Sequence, residues 1–244
     1  MPTTASESLP HPERFRVVLC RPLNPENIGL VARAMKNTGF QGLRVVQEGP
    51  LPRTAWITAV HAEDILDRAR IYPDLASAVS DREVVFAAVA RHRKNFPSQP
   101  LEQALARMMD YPPSTLIGLV FGNERSGLSS GELRHSNFRF TIPQAAPQPS
   151  YNLASAALIT LFQVVSKLSS AQSVASDRNR PLPRRDQEVC INLILTKLEE
   201  VRFLHPGNRE HVGALVHDLL GRLAMTARDR DLLLAMFGKG IRNP

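Results

Sequence analysis

Cysteine is scarce: the 244-residue chain holds two, Cys20 and Cys190, far apart and outside any CxxC pair. Neither a disulfide framework nor a cysteine zinc site is therefore indicated. Long apolar runs are missing too, and none approaches membrane-spanning length. Met1–Arg14 is polar and proline-containing and lacks the apolar centre of a secretion signal. These absences predict a loose N-terminal tail over residues 1–14 and a protein of the cytoplasm, with no membrane partner. Catalytic signatures are absent as well. No GxGxxG follows the first apolar run, which removes the fingerprint of the dinucleotide fold and of the common Rossmann-type methyltransferases. There is no GxxxxGK[ST] for a nucleoside triphosphate and no GxSxG nucleophile elbow. Among the 7 histidines His211 and His217, six residues apart, do not share a helix face. No metal site is expected.

What remains is an ordinary globular composition, 43% hydrophobic and 22% charged. The length suits one full-sized domain plus a smaller one, or one large domain. Lysine and arginine number 30 against 23 acids, a formal charge of +7. Basic clusters stand at Arg91-His92-Arg93-Lys94 and between Arg178 and Arg185. Such a surface favours a polyanion such as RNA, and equally serves as plain solubility charge.

Phe15–Cys20, Gly42–Gln47, Glu83–Ala90, Leu116–Phe121 and Phe138–Ile142 read as buried strands. Between them lie helical segments, so the fold class is α/β with a mainly parallel sheet. Asn24 is a natural N-cap, Pro25 fits the first helical position and Gly39 is a natural stop. Inside that helix Ile28, Val31, Ala32 and Met35 form the core stripe, leaving Glu26, Leu30, Arg33 and Asn37 on the opposite face. Thr54–Val79 reads as helical pieces broken near Tyr72-Pro73, and Leu101–Met109 as a short amphipathic helix. Leu116–Phe121 stops abruptly at Gly122-Asn123-Glu124, with Ser126 and Gly127 following. In open α/β sheets ligands sit beyond the carboxyl ends of strands, so this turn is a candidate site. A proline-rich loop from Pro143 ends at Ser150, which can cap a mostly apolar and hence largely buried helix from Tyr151 to about Ser169. A basic linker over 171–186 then leads to three helices, Gln187–Val201, Glu210–Leu223 and Thr226–Phe237, within a C-terminal extension at 187–244. The main domain is assigned to 15–170.

Three segments together resemble one family. They are Asn24-Pro-Glu-Asn-Ile-Gly-Leu-Val-Ala-Arg33 with Asn37-Thr-Gly39, Phe121-Gly-Asn-Glu-Arg-Ser-Gly-Leu128, and Ile142-Pro143 with Ser150-Tyr-Asn-Leu153. Their order and spacing are similar to the SpoU/TrmH-type RNA 2′-O-ribose methyltransferases of the SPOUT superfamily, across about Arg16 to Ser169. The helical extension after a basic linker resembles the family's TrmJ branch, which methylates the first anticodon-loop nucleotide of tRNA.

The resemblance implies a parallel sheet with a C-terminal trefoil knot, S-adenosyl-L-methionine as cofactor and a homodimer with Arg33 near the partner's site. It implies cofactor contacts from Ala88, Val89, Phe121, Gly122, Asn123, Gly127, Leu128, Ile142, Pro143, Tyr151 and Leu153. Gly122, lacking a side chain, would let backbone approach the cofactor. Arg33 corresponds to the catalytic arginine and Ser150 to the serine beside it; Asn27, Glu124 and Asn152 complete the catalytic set, Glu124 and Asn152 holding the loops together or contacting substrate. RNA contacts would come from Arg33, Arg91, Arg93, Arg184 and Arg185. Arginine, with a pKa above about 12, is a poor general base. Arg33 is therefore expected to clamp a phosphate and stabilise the developing alkoxide. Ala87-Ala-Val-Ala-Arg91 departs from the branch, which carries hydroxyl residues there, and Tyr151 stands where leucine is usual. The substrate expected is tRNA, with rRNA methylation or a catalytically retired RNA-binding protein as the alternatives. The Asn27…Arg33 motif disfavours base methylation.

Overall fold

The computed structural model describes residues 12–90, 96–145, 150–170 and 180–237. The five apolar runs form strands, β1 (Phe15–Cys20), β2 (Leu43–Val46), β4 (Val84–Ala88), β6 (Ile117–Phe121) and β7 (Phe138–Thr141). Two further strands, β3 (Arg70–Tyr72) and β5 (Gln99–Pro100), are too short to carry an apolar alternation and were not expected. All pair in parallel in one sheet of order β3-β2-β1-β6-β4-β7-β5. Strands late in the chain are thus inserted between earlier ones: β6 between β1 and β4, and β7 between β4 and β5.

Parallel strands need crossovers, and these cover both faces of the sheet. Val17, Leu19, Phe86, Leu119 and Phe121 point into one core with the helices α1 (Pro25–Asn37), α2 (Thr54–Ala59), α3 (Glu63–Asp67), α5 (Leu101–Asp110) and α7 (Leu153–Ser170). Their neighbours Val18, Cys20, Val85, Ala87 and Val120 face the other core, with α4 (Leu75–Val79) and α6 (Ser130–Leu133). The period of two follows from the pleat.

Helix α1 keeps the expected stripe, with Ile28, Val31, Ala32 and Met35 at most 1% exposed. Asn24 caps it by accepting from the Glu26 amide at 3.0 Å. A second flank is buried as well, because α2 lies on it: a Cβ at Gly29 would collide with Ala55 O, Thr58 Oγ1 and Ala59 N. Glu26, Leu30, Arg33 and Asn37 stay exposed.

Several expectations change. Arg14 does not belong to a loose tail; it is 5% exposed and donates to the carbonyls of Met108 (3.1 Å) and Pro112 (3.0 Å). Helix α7 is not buried all round, since Leu158 and Phe162 on one face are 43% and 59% exposed. The three C-terminal helices are α8 (Arg184–Glu200), α9 (Arg209–Gly221) and α10 (Ala227–Phe237), so the stretch assigned as linker is helical from Arg184.

These helices are tied to the sheet by buried polar groups. Asn137, fully buried before β7, accepts from the Val85 amide and donates to Gly221 O at 2.6 Å and to Gln187 Oε1 at 3.2 Å. Gln187 donates in turn to Glu83 O at 2.8 Å. Arg139 on β7 pairs with Asp218 of α9 at 2.8 Å. Arg184, expected on RNA, is 1% exposed: it pairs with Glu188 at 2.8 Å and donates to Arg134 O at 2.8 Å. A guanidinium so committed cannot reach a phosphate in solvent. No helix among the described residues is long and apolar enough to cross a membrane.

Removing one member of a buried ion pair typically costs about 3–5 kcal/mol, whereas an exposed neighbour is worth about 0.5 kcal/mol or less. Arg184→Ala is therefore expected to lower the urea midpoint strongly, and Arg185→Ala, at an exposed position, to leave it nearly unchanged. Equal midpoints would contradict a buried anchoring role for Arg184.

Candidate active site

The carboxyl ends of β1 and β6, adjacent in the sheet, each run into a polar turn, and one side chain joins them. Glu124, in the turn after β6, accepts from the Leu23 amide (2.8 Å) and the Asn24 amide (3.2 Å) of the turn after β1. Its Oε1 also accepts from Asn27 Nδ2 at 2.7 Å, inside α1. Asn27 is 4% exposed, and its Oδ1 accepts from Asn152 Nδ2 at 3.1 Å. Asn152 Oδ1 accepts from the Ala154 amide at 2.9 Å, so Asn152 caps α7. Ser150, expected as that cap, is exposed two residues earlier. Asn27, Glu124 and Asn152 thus form a single chain of hydrogen bonds across the three motifs.

The turn after β6 closes on itself. The Gly127 amide donates to Asn123 O at 3.0 Å, and Asn123 Oδ1 accepts from the amides of Arg125 (3.0 Å) and Ser126 (2.7 Å). Gly127 holds a φ of 65°, a left-handed conformation that favours glycine. A Cβ on Gly122 would strike Gly127 and the Leu128 amide. The glycine is needed because the loop's own backbone packs there, a different reason from close approach of a ligand. A second tie lies alongside: Glu132 accepts from the Cys20 thiol (2.9 Å) and from Arg21 (2.7 Å), while completing a capping box with Ser129. Burial pushes the Cys20 thiol well above its usual range, so it is an inert packing group.

Beyond the ends of β4, β6 and β7 lies a cavity of about 480 Å³, within the range of small-molecule sites. Of the expected residues, Ala88, Val89, Phe121, Gly122, Asn123, Glu124, Gly127, Leu128, Ile142, Ser150, Tyr151 and Leu153 line it. Pro143 stands outside the lining and fixes it instead, its carbonyl accepting from the Tyr151 hydroxyl at 2.9 Å. Ala90, Arg125, Ser126, Gln144 and Ala156 complete the wall. Arg125 and Ser126 could have been found, since they sit within the motif, whereas Gln144 carries no signal of its own.

Arg33 is not in the lining. It is exposed on α1, six residues beyond Asn27 and so about 9 Å along the helix axis. Arg185 is exposed at the start of α8. Arg91 and Arg93 lie outside the described residues. Among the described residues no group of side chains could hold a metal ion.

A parallel α/β sheet with late-inserted strands, ending in a cavity built from three interlocked turns, defines the class of protein. Residues 14–162 match the family model of the SpoU rRNA Methylase family. The chain belongs to this family of methyltransferases. It is 31% identical to the tRNA (cytidine/uridine/adenosine-2′-O-)-methyltransferase TrmJ of Pseudomonas aeruginosa, over 91% of both chains. It is 28% identical to the uncharacterized tRNA/rRNA methyltransferase LasT of Escherichia coli, covering 78% of this chain and 86% of that one. The crystal structure of TrmJ from Z. mobilis ZM4 superposes with a TM-score of 0.78 at 26% identity, over 91% of this chain and 97% of the other.

Burial acts to raise the pKa of Glu124, but the hydrogen bonds from Asn27, Leu23 and Asn24 outweigh it and hold the carboxyl below its ordinary 4.5. A carboxylate depressed in the folded state stabilises fully above the unfolded value, and the contribution is lost as pH falls through the folded one. Glu124→Gln is expected to cost about 1.5–3 kcal/mol at neutral pH, the worth of hydrogen bonds to a charged group. Urea titrations should show that difference shrinking as the pH falls below 4.5. A pH-independent difference would mean that the charge plays no part in the tie.

Proposed function

We propose that this methyltransferase transfers a methyl group from S-adenosylmethionine to a ribose 2′-hydroxyl of tRNA, in the anticodon loop. The observation that carries the reading is the Asn27–Glu124–Asn152 chain beside the cavity, with Arg33 presented from the same helix as Asn27. The names of the TrmJ relatives supply the substrate class and the 2′-O position. The walls suit the cofactor: Val89, Leu128, Ile142 and Leu153 offer an apolar slot for a planar base, and Ser150 and Gln144 offer polar groups. Late insertion of β6 and β7 supports the threading of a trefoil knot. A tRNA substrate supports a cytoplasmic place of action.

The cofactor, when bound, supplies an electrophilic methyl on a sulfonium. The chain must then bring a 2′-hydroxyl into line and stabilise the charge that develops as its proton leaves. Asn27, Glu124 and Asn152 hold the three turns at fixed spacing. Arg33 presents paired N–H donors to a backbone phosphate and to the developing alkoxide. Because Arg33 stands outside the cavity of its own chain, the reading places it at the cavity of a second copy. Leu158 and Phe162, exposed on α7, supply an apolar face for that homodimer.

Transfer of labelled methyl to total tRNA and rRNA, with Arg33→Ala in parallel, tests the proposal. Label is expected in tRNA as 2′-O-methyl, falling at least about 100-fold in the variant while cofactor binding persists. Label in rRNA alone would discard the tRNA assignment. An absence of label together with an absence of cofactor binding would leave an RNA-binding protein without catalysis. Phe162→Glu is expected to turn a sedimenting dimer into a monomer and to abolish transfer; a monomeric wild type would refute the shared site.

A further inference from the structure

A second cavity, of about 450 Å³, opens at the other end of the sheet, among the amino ends of β1 to β4. Its walls hold five arginines against two carboxylates, a net of three positive charges. Two of the five are fixed by Asp81. Arg44 donates Nη1 and Nη2 to its two oxygens at 2.6 and 2.7 Å, and Arg82 donates Nε and Nη2 at 3.0 and 2.7 Å. Both side chains are almost fully buried, 6% and 4% exposed. Arg82 Nη1, also buried, has no hydrogen-bond partner.

Asp81 accepts hydrogen bonds from none of the other three. Arg16 lies against Gly42, where a Cβ would meet its guanidinium stem, and it donates to the carbonyls of Glu13 and Phe15. Burial lowers the Arg16 pKa, the Arg82, Arg44 and Arg70 guanidiniums lower it further, and Asp81 only partly opposes them. Arg68 and Arg70 stand exposed on the rim. Cations gathered in one concave wall repel one another and focus a positive potential into the space between them. Guanidiniums match a phosphate better than any other biological anion except a carboxylate, because their paired N–H groups bind two oxygens at once.

We propose that this chamber binds a phosphate group, presented either by an RNA backbone or by a small phosphorylated molecule. The site is independent of the methyltransfer reading, being formed from different residues at the opposite end of the sheet. Its volume admits a nucleotide-sized group. Arg44 and Arg82 form a fixed floor, and Arg68 and Arg70 close on the ligand from the rim.

The test is calorimetric titration of the full chain with inorganic pyrophosphate at low salt, beside a variant carrying both Arg68→Ala and Arg70→Ala. The rim residues are exposed, so the variant should keep the wild-type urea midpoint. Wild type should bind saturably, and the variant at least about tenfold more weakly, given that one charge-assisted hydrogen bond is worth about 1.5–3 kcal/mol. No saturable binding by wild type, or equal binding by the rim variant, would overturn the proposal. Filter binding of tRNA then identifies the source. A parallel fall in affinity with a shallower salt dependence marks the RNA backbone, and an unchanged tRNA affinity marks a small phosphorylated ligand.

Discussion

The carboxyl end of the sheet depends on the carboxylate of Glu124. Two turns leave neighbouring strands there, each with amide groups that no helix or ladder satisfies. Glu124 reaches across and satisfies Leu23, Asn24 and Asn27 together, and Asn27 passes the connection to Asn152 and so to the start of α7. An anion beside the amino end of α1 is also favoured by the helix dipole. Because this carboxylate fills that position from within, the helix terminus is not open to a substrate phosphate. In the proposed reaction, substrate charge is then met by side chains, the role given above to Arg33, exposed further along the same helix.

Arginine has two separate uses in this molecule, and the formal charge does not distinguish them. Arg14, Arg44, Arg82, Arg139 and Arg184 are each almost fully buried and direct donors to carbonyls and carboxylates of the fold, Arg82 Nη1 staying unpartnered. They pin the residue before β1 to α5, the end of α4 to β2, and the C-terminal helices to β7. Their burial would be costly without those partners. The basic surface that can serve RNA is therefore smaller than a charge of +7 suggests, and it rests on exposed arginines such as Arg33, Arg68, Arg70 and Arg185.

The long strands were legible in the sequence because each is an apolar run ended by turn residues. The α1 stripe was legible because Ile28, Val31, Ala32 and Met35 repeat at helical spacing. Strands β3 and β5 were not, since three and two residues cannot display a period. Ser150 and Asn152 are both good capping residues, and only the tertiary bond that Asn152 donates to Asn27 selects Asn152. The motif placed Gly122 at the site, but its reason, contact with Gly127 and Leu128, depends on how the loop folds back. Arg184 was misread because it is buried against the carbonyl of Arg134 only after α8 docks, while its pair with Glu188 lies within α8 itself. The exposed face of α7 was hidden by composition, which cannot tell a buried helix from one that keeps apolar side chains for another surface.

The two ends of the sheet use the same device with opposite electrostatic results. At each end a carboxylate ties its own segment to a neighbouring one and fixes their spacing. Glu124 is satisfied by amides, which carry no net charge, so its negative charge remains at the cavity wall. Asp81 is satisfied by two guanidiniums, so the tie itself remains cationic, and three more arginines add to it. Strand β1, six residues long, separates the two ends by about 20 Å, about two and a half Debye lengths at physiological salt. At that distance the fields are largely independent, so a positive chamber at one end does not disturb a site of mixed charge at the other.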